Sequence, residues 1–198
     1  MNTKLDLYKL HKAEYVTPRK PVLIRVKPAQ YLIIEGHGAP GNTRFQACIG
    51  ALYGMAFTIK MARKFAGQQD YGVCKLEGQY FGDLAAIPKD DWNWKLMIRT
   101  PDFITRKDLE SAVAVLLKRG KPGEVKEVKL ETLNEGECVQ MLHVGPYDQE
   151  CDSIALMRRF AEAGGLTLAG PHHEIYLSDP RRVPPERLRT ILRQPMRK

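Results

Sequence analysis

Residues 172–180, His-His-Glu-Ile-Tyr-Leu-Ser-Asp-Pro, carry the strongest chemical signal in the chain. Isoleucine, tyrosine and leucine favour a strand, and Asp179-Pro180 ends it as a turn. Such a strand belongs in a core, yet Glu174 puts a carboxylate where an apolar residue is expected. Alternation places His172, Glu174, Tyr176 and Ser178 on one face, with His173, Ile175 and Leu177 on the other. The second face packs and the first can do chemistry. A carboxylate among aromatic rings in a cleft can hold a cation, or act as a general base once loss of water raises its pKa. Tyr176 shares the face and offers a hydroxyl to a substrate carbonyl. Glu174 and Tyr176 are therefore the candidate catalytic pair. The competing reading of Glu174 is a strand-edge carboxylate paired with Arg181 or Arg182.

Other residues are candidates for substrate contact. Trp92 and Trp94 share a strand face with Leu96 and Ile98, which suits either core packing or stacking against a flat ligand. Tyr147 follows Gly145-Pro146 at a helix entrance, a position that often rims a cleft. Glu77 lies on the first-half strand that mirrors the strand of Glu174, making it a candidate second carboxylate; otherwise it is a solvated strand end. His143 and His172 are expected to be satisfied or exposed histidines. Cys48, Cys74, Cys138 and Cys151 lie far apart, with no C-x-x-C pair and no zinc-type spacing to the five histidines. Reduced, mostly buried thiols are expected, with no metal constellation and no cofactor.

The elements that must position these residues fall into two similar halves. Pro21-Val-Leu-Ile-Arg-Val26 opens the folded body after a polar lead-in. Tyr31–Gly38 and Cys138–Gly145 are both strands ending at a glycine, followed within two residues by a proline and then a helix. Asn42 caps the first helix, which carries Phe45, Cys48, Ile49, Leu52, Tyr53 and Ala56 at helical spacing. Asp148 is the expected cap of the second, whose apolar positions Ile154, Met157, Phe160 and Ala161 lead to Gly164-Gly165. Strand pairs follow each helix: 71–77 with 92–99, then 172–178 with 190–194. Between the halves, Thr105-Arg-Lys-Asp108 starts a helix that runs to about Lys118. Gly120-Lys-Pro-Gly123 breaks it, and residues 126–133 resume an extended pattern. The expected fold class is α+β, a tandem pseudo-two-fold repeat of strand-strand-helix-strand-strand units around a central ligand cleft. The whole chain reads as one domain: lead-in 1–20, first repeat 21–104, connecting helix 105–123, second repeat 124–198.

Composition sets the outer limits. At 198 residues and 43% hydrophobic content, the chain can bury a real core. No stretch approaches the roughly 20 apolar residues that cross a bilayer, and the charged start Met1–Asp6 lacks the apolar region of a secretory signal. A soluble cytoplasmic protein with no membrane partner is expected. Lysine and arginine total 31 against 23 acidic residues, a net +8. That charge is scattered, with no aromatic interleaving of the kind that stacks bases, so nucleic acid is not an expected partner. The sequence gives no sign of oligomeric state.

Four segments, Lys20-Pro-Val-Leu23, residues 51–60, residues 92–105 and residues 172–182, together resemble the GyrI-like small-molecule-binding domains, related to the effector domains of the transcription regulators BmrR and Rob. The resemblance spans nearly the whole chain. It implies a tandem repeat with a central ligand cleft and no attached DNA-binding region. It also implies that the family's key acidic residue, which contacts cationic or electrophilic aromatic ligands, falls on the strand of Glu174. Some stand-alone members hydrolyse the cyclopropane ring of DNA-alkylating cyclopropanoid natural products and so detoxify them. The same resemblance allows a different class of function: sequestering aromatic or cationic drugs, or modulating a partner such as gyrase, without turnover. Where relatives usually read Leu-Glu-Gly-Leu-Trp-Trp, this chain has Leu76-Glu-Gly-Gln-Tyr-Phe81. Tyr80 and Phe81 keep the aromatic character there and are implied substrate contacts. The expected partner is a planar aromatic small molecule.

Overall fold

A computed structural model describes residues 3–198; Met1 and Asn2 of the lead-in lie outside the described residues. The lead-in forms two short helices, Leu7–Leu10 (α1) and Lys12–Tyr15 (α2). The first repeat follows as Val22–Val26 (β1), Ala29–His37 (β2), Thr43–Phe65 (α3), Leu76–Phe81 (β3) and Asn93–Arg99 (β4). Arg106–Lys118 (α4) connects it to Lys129–Leu133 (β5), Gly136–Val144 (β6), Glu150–Ala163 (α5), Thr167–Leu168 (β7), His172–Tyr176 (β8) and Arg189–Arg197 (β9).

All the strands pair antiparallel in the order β1-β6-β9-β8-β3-β4-β2-β5, with the short β7 added against β9. The two repeats exchange their opening strands. β1 pairs with β6 of the second half, and β5 pairs with β2 of the first. The halves meet at the centre, where β3 runs beside β8 with Gly78 opposite Glu174 and Tyr80 opposite His172.

Both long helices lie on one face of this sheet. Asn42 starts α3 by accepting a hydrogen bond from the Phe45 amide at 2.8 Å. Phe45, Cys48, Leu52, Met55 and Ile59 then pack onto Leu32, Ile34, Leu96 and Ile98 of β2 and β4. α3 is long and apolar enough to cross a membrane by length and composition alone. Here its apolar stripe covers the sheet, and Lys60 and Arg63 pair with Asp70 and Asp108. Through Met157, α5 packs on Val139, Met141 and Leu192 of β6 and β9. Each helix thus covers the outer strands of its own side, and the central pair β3–β8 presents its face between them.

Trp94 shows how tightly the α3 side is filled. Its ring lies over Gly36, its cross-strand neighbour, where an added Cβ would stand 2.1 Å from the indole. Gly36→Ala is expected to destabilise by roughly 1–3 kcal/mol, the usual effect of overpacking. A lower urea midpoint at unchanged slope is the check.

Four expectations need correction. The lead-in is not a loose polar segment, because Leu7 and Tyr15 are buried and the Leu5 amide bonds to the Asp70 carbonyl. Those contacts occupy residues 70–72, so the strand expected from Tyr71 begins only at Leu76, and Tyr71 keeps a single bridge to Leu5. Asp148 does not cap α5. A 3-10 turn at Tyr147–Gln149 runs straight into the helix, Gln149 takes the cap position without a side-chain bond, and Glu150 falls in the first turn. Finally, β9 runs from Arg189 to Arg197, beyond the expected 190–194, because β6 and then β7 pair with it along its length. The capping box of Thr105 and Asp108 forms as expected.

Candidate functional site

Three strands and one helix bring the site together. Glu174 stands on β8 between Gly78 of β3 and Leu192 of β9, facing the helix side of the sheet. The same alternation brings His172 and Tyr176 to that face, and register adds Tyr80 beside His172. Gly78 leaves room for the rings: a Cβ there would come within 3.2 Å of the Tyr176 hydroxyl and of the Tyr80 ring. Over this surface those two hydroxyls meet at 2.6 Å. Tyr147 sets its ring edge against Tyr176 at 5.9 Å between centroids, and Trp92 does the same to Tyr80 at 5.7 Å. Tyr80→Phe removes one partner of a hydroxyl pair, so a loss of about 1 kcal/mol in thermal or urea unfolding is expected.

The first turn of α5 contributes Glu150, which the sequence reading did not select. Its burial follows a helical period, since Glu150, Ser153, Met157 and Ala161 are the buried residues of α5. That spacing of three, then four, then four was the available signal. Glu150 is 5% exposed, Glu174 9% and His172 6%. His172 Nε2 lies 3.3 Å from Glu174 Oε1. Burial first, and the charge of Glu174 second, push the Glu150 carboxyl up to about 10. At neutral pH Glu150 therefore keeps its proton beside Glu174, since two close buried carboxylates resist carrying charge together. Burial, then Glu174, also raises Tyr80 and Tyr176 well above the ordinary tyrosine value, and Tyr147 rises to about 12 through burial, Glu150 and Glu174. All three hydroxyls stay protonated, one of the Tyr80–Tyr176 pair donating to the other.

Neither carboxylate has a lysine or arginine ion-pair partner among the described residues. Arg181 and Arg182, the alternative partners of Glu174, both turn to Asp179. The opposite face of the sheet differs sharply. There Glu14 meets Arg99 at 2.6 Å, Glu77 meets His173 at 3.0 Å, and Glu135 meets both His173 and Arg193.

The expected site residues separate accordingly. Glu174, Tyr176, Tyr80, Trp92 and Tyr147 come together, with Tyr147 partly exposed at the rim. Glu77 is not the second carboxylate of this site: it pairs with Ile175, so the pleat turns it to the opposite face. Trp94 is core, donating its indole N–H to the Gly38 carbonyl at 2.9 Å beneath Phe45. Phe81, one residue beyond Tyr80, alternates away from the site and is exposed. His143 is satisfied by Ser153 and the Pro146 carbonyl, as expected, whereas His172 is buried with no hydrogen bond to either ring nitrogen. Although sequence spacing showed no metal-type constellation, the fold brings one donor atom each from Glu150, His172 and Glu174 within 4.8 Å of one another.

A profile of the GyrI-like small molecule binding domain matches residues 19–196. The chain belongs to that family. Among solved structures, a Listeria innocua protein described as a hydrolase shares 38% identity at a TM-score of 0.90, covering 98% of this chain and all of its own. An uncharacterized conserved protein from Listeria innocua shares 39% identity at a TM-score of 0.92, with the same coverage. The C-terminal domain of EcmrR, at 11% identity, 90% and 98% coverage and a TM-score of 0.60, shares the fold alone. No curated protein sequence matches. The central strands β3 and β8 and the start of α5 thus gather aromatic rings beside Glu150 and Glu174, which have no lysine or arginine partner among the described residues.

Proposed function

We propose that this GyrI-like domain is a hydrolase that adds water to electrophilic aromatic compounds whose strained cyclopropane ring is conjugated to a carbonyl, thereby detoxifying DNA-alkylating cyclopropanoids. The observation that carries the reading is Glu174, buried among tyrosines beside a protonated Glu150, with no arginine or lysine to claim its charge. Its 38–39% identical relatives described as hydrolases support turnover as well as binding.

Glu174 acts as general base. Water attacks the ring carbon as Glu174 takes its proton; the new carbon–oxygen bond forms while a ring carbon–carbon bond breaks. That electron pair collects on the conjugated carbonyl oxygen, where the hydroxyl of Tyr176 or Tyr147 donates a hydrogen bond to the growing charge. Release of strain drives the step, and no cofactor takes part in it. Trp92 and Tyr80 supply ring surface for the planar substrate.

The second reading is binding without turnover, favoured by the family's description as a small-molecule-binding domain. An unneutralised carboxylate among rings then holds cationic aromatic compounds by charge and stacking. Incubation of the pure protein with a cyclopropanoid drug, followed by mass spectrometry, separates the two. A product one water heavier supports hydrolysis, and a complex whose ligand keeps its mass supports sequestration.

A further inference from the structure

Packing leaves two features of the helix-face cluster unexplained. His172 is buried with neither ring nitrogen hydrogen-bonded, and Glu150 Oε1 is buried without a partner. Buried polar atoms left unpaired are destabilising, so two side chains that keep them in one place point to a ligand. The donors also converge. His172 Nε2 stands 3.3 Å from Glu174 Oε1 without forming a hydrogen bond, and Glu150 brings an oxygen into the same 4.8 Å cluster. Two donors bound to zinc at about 2.0–2.2 Å, at a tetrahedral angle, lie about 3.3–3.6 Å apart. The nitrogen and oxygen here have the spacing of two ligands on one ion.

We propose that Glu150, His172 and Glu174 form a binding site for a divalent first-row transition-metal ion, with zinc as the representative. A divalent ion would balance the charge of the two carboxylates, neither of which has a lysine or arginine partner among the described residues; Arg181 and Arg182 turn to Asp179. The imidazole selects against magnesium and calcium, which take oxygen ligands in larger number. Three protein donors leave a fourth tetrahedral position to water or to a ligand's oxygen. The site shares Glu174 with the proposed hydrolysis, and an ion and an organic cation compete for the same two carboxylates.

The test uses the full chain, stripped with a chelator and titrated with zinc by calorimetry and equilibrium dialysis. One zinc per chain is expected, with affinity at least roughly tenfold weaker in Glu150→Gln and in His172→Gln, the size of loss that changes outside the ligand shell already produce. Cys151→Ser, which removes the exposed thiol beside Glu150, should keep full affinity, and excess magnesium should not displace the zinc. Cobalt(II) bound to the unaltered protein should give the strong visible bands of a four-coordinate ion without a sulfur charge-transfer band. This readout holds even if a variant fails to fold. No stoichiometric zinc, binding that survives both glutamine variants, or binding lost with Cys151 overturns the proposal. Mass analysis of drug incubated with the metal-free protein reports separately on hydrolysis, so either idea can fail alone.

Discussion

Glu174→Gln is expected to slow ring opening by roughly a hundred- to ten-thousand-fold, the range that general-base help contributes. The substitution keeps size and shape, so an unchanged melting curve should accompany the loss. Its neighbour provides the internal control. Glu150 carries its carboxyl at about 10, pushed there by burial and then by the charge of Glu174, and near neutral pH a protonated carboxyl resembles an amide in charge and shape. Glu150→Gln should therefore lose less than Glu174→Gln in single-turnover mass measurements. The reverse order would move the base to Glu150, and equal rates in Glu174→Gln and the unaltered protein would end the assignment. Affinity for a planar cationic dye should fall in Glu174→Gln as well, since the dye loses its counter-charge. A rate loss with dye affinity intact would confine Glu174 to the chemical step.

Much of this site was legible because a strand has a period of two. Once residues 172–178 read as a strand, Glu174 and Tyr176 had to share a face, and β8 places them so. The duplicated chain path was legible from two strands that end at a glycine and lead through a proline into a helix. The exchange of β1 and β5 between halves was not, because local pattern does not say which strand pairs with which. Glu77 went astray for a related reason. Likeness between the halves suggested a mirror position, but the cross-strand partner decides the face, and Glu77 lies opposite Ile175 rather than Glu174. Trp94 and Trp92 read alike in sequence, yet the open space over Gly36 draws one into the core while the other edges against Tyr80. Glu150 was hidden by the expectation that Asp148 starts the helix. Yet Glu150 stands seven residues, about two turns, before Met157, and so on the same buried face.

His173→Leu is expected to cost roughly 3–5 kcal/mol in urea unfolding, the penalty for breaking a buried ion pair. His173 lies on the sheet face away from the site, fully buried between Glu77 at 3.0 Å and Glu135 at 2.9 Å; its loss strips Glu77 of its cation and leaves Glu135 with Arg193 alone. Burial works against its charge, but Glu135 and then Glu77 outweigh it and raise the imidazolium to about 9. Burial likewise opposes the charge on Glu135, and His173 with Arg193 brings it down to about 2. The signs follow from linkage. The raised histidine contributes fully below its unfolded value of 6.5 and fades as pH climbs through about 9. The depressed glutamate contributes fully above its unfolded value of 4.5 and fades as pH falls toward about 2. These are one ion pair seen from its two ends, so its stabilisation peaks between 4.5 and 6.5 and declines on both sides. His173→Leu should flatten that profile, and a variant as pH-dependent as the unaltered protein would refute the account. The consequence reaches the candidate site because His173 and Glu174 are consecutive on β8. A slip of one residue exchanges the faces of a strand, so an arrangement that admits only His173 between Glu77 and Glu135 also holds Glu174 toward the tyrosines. The lead-in is part of that hold, since Arg193 donates to the Glu14 carbonyl at 2.8 Å and Arg99 to the Glu14 carboxylate at 2.6 Å. Glu14→Ala should therefore lower stability through the same network without touching the residues around Glu174.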